Sequence, residues 1–188
     1  TRPYTLSLHD ALPISFPARV DTALRAGQRA KLGLRHAAPA EADGDAALAD
    51  DWLALLQRER ADFTLAWRRL ADVAAGDEAP LRALFADTRA PDAWLARWRA
   101  RCTADDAATG ADAVERAARM RRVNPLVIPR NHLVEEALAA ASDDADLAPF
   151  EHLLAAVRRP FEDDPALARY VEPAASAFTA GYRTFCGT

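Results

Sequence analysis

Apolar residues recur every three to four positions along most of this chain. In the stretch from 46 to 75 they share one helical face, made of Trp52, Leu56, Phe63, Trp67 and Leu70. This spacing predicts one long helix, or two helices broken near Arg60. Gly76 follows the last apolar position and is expected to end the pattern.

Two further apolar stretches flank this region. The pattern from Val20 to Gly33 predicts a first helix. Downstream, Trp94, Trp98 and Cys102 fall at i, i+4 and i+8, on one face of another helix. Indole side chains at this spacing are more often core than partner surface, so we expect both tryptophans to be buried. Cys102 shares their face and is expected to be a buried, unreactive thiol.

Proline and asparagine mark the boundaries of the later helices. A helical stretch that begins near 111 ends at Asn124-Pro125, because the residue before proline is driven out of the helical region. Asn131 is placed as the N-cap of the next helix, and the helix after that stops at Pro160. The tail from 161 to 188 carries only short helical pieces. Since strand alternation occurs nowhere, the sequence predicts an all-α, irregular helical fold.

Composition narrows the class of protein. The 188 residues are 51% hydrophobic and 28% charged with a net charge of -4, which offers no global attraction for nucleic acid or an anionic membrane. No apolar run approaches the roughly 18 residues that a membrane span needs. Lys31 is the sole lysine among 24 basic residues, a bias typical of GC-rich bacterial genomes. The two cysteines are too few for a disulfide framework, so we expect a protein of the reducing bacterial cytoplasm. From the charge and the apolar runs we expect neither nucleic acid nor a membrane as partner.

The first residues differ in origin from the rest. Thr5 to Ile14 read as one translation frame of a widely used short-read sequencing adapter, over ten consecutive codons. We therefore predict that residues 1–15 are an adapter-derived artefact and exclude them from fold reasoning. We expect the natural protein to extend upstream of Phe16.

Few polar residues form constellations that suit catalysis. The seven glycines build no phosphate-cradling loop ahead of a helix. His132 and Glu136 have two-ligand spacing on a helix, but one such pair is more often solvated than bound to a metal. Acidic clusters at 143–146 and 162–164 fit helix starts, where carboxylates meet the positive end of the helix dipole. We expect no catalytic, cofactor-binding or metal site in this chain.

One sequence signature points to a known family. The segment Met120–Pro125, followed by Pro129–Leu133, resembles the C-terminal signature of the selenoprotein O family. The signature residues are Asn124, Pro125, Arg130 and Asn131. The ending Tyr182–Thr188 is similar to one bacterial variant of that family's tail, with Cys-Gly-Thr where many members have Cys-Ser-Ser. Leu126 also departs from the lysine that many bacterial members carry there.

The resemblance implies an activity for the parent protein. The family has a pseudokinase fold that transfers AMP from ATP to Ser, Thr or Tyr hydroxyls of proteins, with Mg2+ or Mn2+. Its nucleotide and metal sites lie in kinase-like lobes N-terminal to everything here, so the resemblance gives no residue of this chain a catalytic, nucleotide-binding or metal role. Cys186 matches the position of a redox-active residue, implicated in a disulfide with a cysteine of the kinase domain. The implied partners are those missing lobes and the protein substrates.

On this interpretation residues 16–36 end a kinase-like C-lobe, 37–45 are a linker, and 46–188 form a C-terminal helical region with an irregular tail. The fragment would be inactive alone. The alternative is a self-contained helical protein-binding module. Its contact surface would be the Trp94/Trp98 face or the basic stretch Arg116–Arg122. That stretch has no interleaved aromatic residues, so a solvated or ion-paired face is favoured for it.

Overall fold

The computed structural model describes residues 15–36 and 42–183, and those residues form helices without any strand. The predicted all-α fold is confirmed. The α-helices are α1 Ser15–Lys31, α2 Ala42–Glu59, α3 Phe63–Ala74, α4 Ala79–Arg82, α5 Asp92–Thr109, α6 Ala113–Val123, α7 Asn131–Asp143, α8 Ala148–Val157, α9 Ala168–Val171 and α10 Ser176–Gly181. A short 3-10 turn, Pro165–Leu167, precedes α9.

The long apolar pattern from 46 to 75 is split into α2 and α3 at Arg60. Arg60 adopts a positive φ of 53°, which ends α2. Asp62 then caps α3, because its Oδ1 accepts a hydrogen bond of 2.8 Å from the Leu65 amide. The two-helix form of the prediction is therefore correct. Residues 42–45, which we assigned to the linker, lie in α2, while 37–41 lie outside the described residues.

Tryptophans form the centre of the main core, which joins the end of α1 to α2, α3, α5 and α6. Trp52 is fully buried, and its ring centroid lies 4.2 Å from that of Trp94. Trp94 donates its indole N–H to the Leu48 carbonyl at 2.8 Å, and Trp98 donates to the Leu32 carbonyl at 3.0 Å. Both predicted core tryptophans are thus buried and satisfied, which removes the first of the two contact surfaces considered for the binding-module alternative.

A glycine turn fastens α1 to α6. The Leu34 amide donates a hydrogen bond of 3.1 Å to the Arg29 carbonyl, which closes the turn around Gly33 at the end of α1. The φ of Gly33 is 76°. A Cβ at Gly33 would lie 2.7 Å from the Met120 Sδ and 2.8 Å from the Arg116 Cγ. Only glycine therefore provides both the left-handed conformation and the close approach of α6.

A smaller helical unit follows α6. Two clusters hold it: one of Leu133, Ala137 and Leu153, and one of Val127, Ala156 and Leu167. The amides of residues 126 and 127 both donate to the Pro160 carbonyl, at 2.7 and 3.1 Å. The N-cap prediction here was one residue late. Arg130 is in the extended conformation and takes the cap position, so Asn131 is the first residue of α7.

Candidate functional site

The family-like signature lies where α1, α3, α6 and α7 meet. We call Lys31, Asp62, Arg68, Asn124 and Arg130 the signature junction. Two of these residues, Asn124 and Arg130, come from the predicted signature, and Arg68 was not singled out from the sequence. The junction is built mainly from side chains that hydrogen-bond to main-chain carbonyls.

Asn124 ties the end of α6 to the end of α1. It is fully buried, and its Nδ2 donates to the Lys31 carbonyl at 3.0 Å while its Oδ1 accepts from the Lys31 Nζ at 3.2 Å. Pro125 keeps Asn124 extended, which turns its side chain out of the α6 register. The Lys31 ammonium also lies 5.7 Å from the ring centroid of Trp67. Burial lowers the pKa of Lys31.

Arg68 hydrogen-bonds to main-chain carbonyls of three residues outside its own helix. Only 1% of Arg68 is exposed. Its Nη1 donates to the carbonyls of Arg121 at 2.9 Å, Asn124 at 3.3 Å and Phe161 at 3.3 Å. Its Nη2 lies 3.7 Å from the Asp163 carboxylate. Burial lowers the pKa of this guanidinium, and the Asp163 charge opposes the shift. The single side chain thus connects α3, the end of α6 and the segment after α8.

Arg130 closes the other side of the junction. It donates to both oxygens of Asp62, at 2.7 and 3.3 Å, in a two-point ion pair. Because Asp62 also caps α3, this pair links the start of α3 to the start of α7. Asn131 is exposed, and within residues 15–36 and 42–183 its side chain makes no hydrogen bond.

An open groove of about 1090 Å3 borders the junction. Arg130, Asn131 and His132 line one side, and α10 lines the other. The His132 ring lies edge-on to Phe178 at 5.9 Å, and Tyr182 donates its hydroxyl to Glu135 at 3.1 Å. This hydrogen bond raises the pKa of Tyr182. Cys186, the predicted redox residue, lies outside the described residues.

The basic stretch of α6 faces inward. Arg116 is buried and donates to the Cys102 carbonyl at 3.0 Å and to Asp106. Arg119 donates to the Gly33 carbonyl at 3.1 Å. Arg121 pairs with Asp72 at 2.9 Å, and Arg122 alone of the four is exposed. The expected ion-paired character is confirmed, and little of this stretch is free to contact a partner.

Polar residues with metal-ligand chemistry are dispersed among structural partners. Glu136 pairs with Arg169 rather than with His132. Asp164 caps the 3-10 turn by accepting from the amide of residue 166 at 2.9 Å, and Asp146, just before α8, accepts from the amide of residue 148 at 2.9 Å. Across the described part of the chain, no group of three or more His, Cys, Asp or Glu side chains is arranged to hold a metal ion. The same residues contain no helix long and apolar enough to cross a membrane.

Cys102 is buried, as expected from its place on the tryptophan face. Burial raises the pKa of its thiol to about 12, with Asp106 and Asp105 adding to the shift and Arg116 opposing it. A thiol in this state is a poor nucleophile, because the thiolate is the reactive form.

Comparison with known proteins identifies the family. The sequence profile described as "Protein adenylyltransferase SelO" matches residues 6–158, which include the whole signature junction. The chain belongs to this family. The match begins within residues 1–15, whose assignment to an adapter stays a prediction.

Curated SelO-family relatives are named "Protein nucleotidyltransferase YdiU". The one from Chromobacterium violaceum is 50% identical over 160 residues, covering 85% of this chain and 32% of the relative. The one from a Bradyrhizobium species is 47% identical over 174 residues, covering 92% and 34%. The resemblance seen in the signature is therefore confirmed, and the chain spans about a third of the length of these relatives.

Proposed function

We propose that the whole protein transfers AMP from ATP to Ser, Thr or Tyr hydroxyls of other proteins in the bacterial cytoplasm. The observation that carries this proposal is the match of residues 6–158 to the SelO adenylyltransferase family. The transfer needs cations to offset the charge that develops on the phosphates. Kinase-like lobes outside this chain bind the ATP and Mg2+ or Mn2+ and carry out the chemistry.

The chain described here is the structural, C-terminal part of that enzyme and is inactive alone. Its buried arginines support this role. Arg68, Arg116 and Arg130 are each engaged with main-chain carbonyls or carboxylates of the chain itself. They hold helices in place, and a phosphate would have to break buried bonds to reach them. No residue of the signature junction is assigned a catalytic role.

Cys186 is proposed to form a regulatory disulfide with a cysteine elsewhere in the whole protein. Cys102 is a poor partner, since it is buried and the pKa of its thiol is about 12. The family resemblance implies a thiol partner in the kinase-like lobes, outside this chain.

Labelled ATP tests the proposed reaction. In a chimera, this chain replaces the aligned third of the Chromobacterium violaceum relative. The chimera is incubated with protein substrates, Mn2+ and ATP labelled on either the α- or the γ-phosphate. Adenylylation transfers the α label, whereas phosphorylation transfers the γ label. Protein labelled from γ-labelled ATP, or from neither form, would overturn the proposed reaction.

A further inference from the structure

The first half of α1 is a helix without packing partners in the described structure. Every side chain from Phe16 to Leu24 is exposed. Phe16 is 69% exposed, Val20 49% and Leu24 55%. These three residues stand at i, i+4 and i+8, so they lie within about 80° of one another on the helix surface. We call them the α1 stripe.

The α1 stripe lies outside the contacts that α1 makes with the rest of the described chain. Helix α1 contacts α2 through Arg25, which pairs with Asp50 at 3.2 Å, and through Arg29, which pairs with Asp45 at 3.1 Å. On a regular helix both arginines lie roughly 140–180° from Val20.

Lys31, the last residue of α1, lies only about 20° from Val20 on the helix surface and contacts Asn124 and Trp67. The side of α1 that carries the stripe therefore packs against the chain at its end. The stripe continues that side beyond the contact, where its apolar side chains are exposed.

Local interactions do not explain this arrangement. Residues 16–24 continue the packed second half of the 17-residue α1 and gain no tertiary contact of their own in the described structure. The segment also exposes a contiguous apolar stripe, which is typical of a surface that another element covers.

We propose that the α1 stripe is a docking surface for the two thirds of the SelO-family protein that this chain does not span. The relatives are about three times as long as the region they share with this chain. The stripe lies inside the matched range 6–158, so it belongs to the portion that the family shares. Apolar side chains at i, i+4 and i+8 form a ridge of the kind by which one helix packs against another. This inference rests on the proposed structural role of the chain and not on the AMP transfer.

The test uses the chimera described above and reads its stability, so failure of the proposed reaction would not affect it. The variant V20E/L24E places glutamates at two of the three stripe residues. The control A18E/T22E adds the same charge on the opposite side of the same helical turns. We expect V20E/L24E to lower the thermal midpoint by at least about 5 °C or to abolish soluble chimera. A18E/T22E should shift the midpoint by no more than about 1 °C. Equal effects of the two variants would overturn the proposal.

Two measurements keep the test decisive. Where the chimera itself does not accumulate, the same substitutions at the aligned positions of the full-length relative give the readout. In this chain alone, hydrogen exchange at 16–24 should be fast, V20E/L24E should leave the thermal midpoint unchanged, and light scattering should show a monomer. A dimer in which 16–24 is protected would make a second copy the occupant, and protection in a monomer would show that the chain covers its own stripe. Either result would overturn the proposal.

Discussion

At the residue scale, the two signature asparagines differ in what they do. Asn124 is fully buried and exchanges hydrogen bonds with Lys31, whereas Asn131 is exposed at the start of α7. The sequence pattern identified both residues but gave no means of separating them, because their burial depends on how α6 approaches α1. Arg68 was missed altogether, since an arginine on an amphipathic helix is normally placed on the solvated side.

Alanine substitutions should separate the two asparagines. Asn124→Ala leaves the Lys31 carbonyl and ammonium without their partner, so we expect it to lower the free energy of unfolding by about 2 kcal/mol. Asn131→Ala should change it by less than about 0.5 kcal/mol. Urea unfolding of the two variants measures both values, and equal losses would contradict the assigned roles.

The Cys102 thiol should be inert in the folded chain. With a pKa of about 12, its thiolate fraction at pH 8 is about 1000-fold lower than that of a thiol whose pKa is 9. Because the folded state favours the protonated thiol, unfolding at high pH is helped by ionisation of Cys102. The free energy of unfolding is therefore unaffected by this group below pH 9, its ordinary pKa, and falls as the pH rises towards 12, its pKa in the folded chain. Alkylation at pH 8 followed by mass spectrometry should modify Cys102 only after unfolding. Rapid modification in the native state would contradict its burial.

At the element scale, the helices were predictable and the connections were not. Periodicity located the apolar face of α2 and α3, because a packed helix must carry an apolar face. It left open whether the pattern was one helix or two broken near Arg60. The start of α7 was misplaced by one residue, since the cap position is set by the extended backbone of Arg130, which local composition does not specify. The signature junction was not predictable, because its bonds join residues up to 93 positions apart.

Gly33→Ala tests the close contact between α1 and α6. The added methyl group would lie 2.7–2.8 Å from atoms of α6, and the alanine would also have to keep the backbone φ of 76°. Gly110→Ala is the matched control, because its φ is 68° and nothing lies within 4 Å of the added carbon. We expect the control to cost about 1 kcal/mol from the backbone alone, and Gly33→Ala to cost roughly 1–3 kcal/mol more from overpacking. Equal shifts in chemical denaturation would refute the contact.

Arg68→Ala tests whether one side chain connects three elements. It would leave the carbonyls of Arg121, Asn124 and Phe161 without this donor. We expect a loss of about 3 kcal/mol in unfolding free energy and faster hydrogen exchange near 124 and 161. Its neighbour Arg69 makes only a partly exposed ion pair with Asp72, so Arg69→Ala should cost less than about 1 kcal/mol. A comparable loss in both variants would argue against the junction.

At the scale of the whole molecule, the chain combines a tryptophan-centred core with a smaller helical unit, fastened by the signature junction. Family membership was predictable because the signature is a local run of residues. The exposed α1 stripe was not, since Val20 and Leu24 looked like any other helix core positions in the sequence. Their exposure depends on where the other helices end, because the contacts of α1 with α2, α3 and α6 involve residues 25–31.

The most direct test of the structural role assigned to this chain is a calorimetric titration with ATP in the presence of Mn2+. The chain alone and the chimera with the Chromobacterium violaceum relative are titrated side by side. We expect saturable, metal-dependent binding to the chimera and none to the chain, because the nucleotide site is proposed to lie in the kinase-like lobes. Saturable, metal-dependent binding of ATP to the chain alone would contradict this account and place part of the nucleotide site within it.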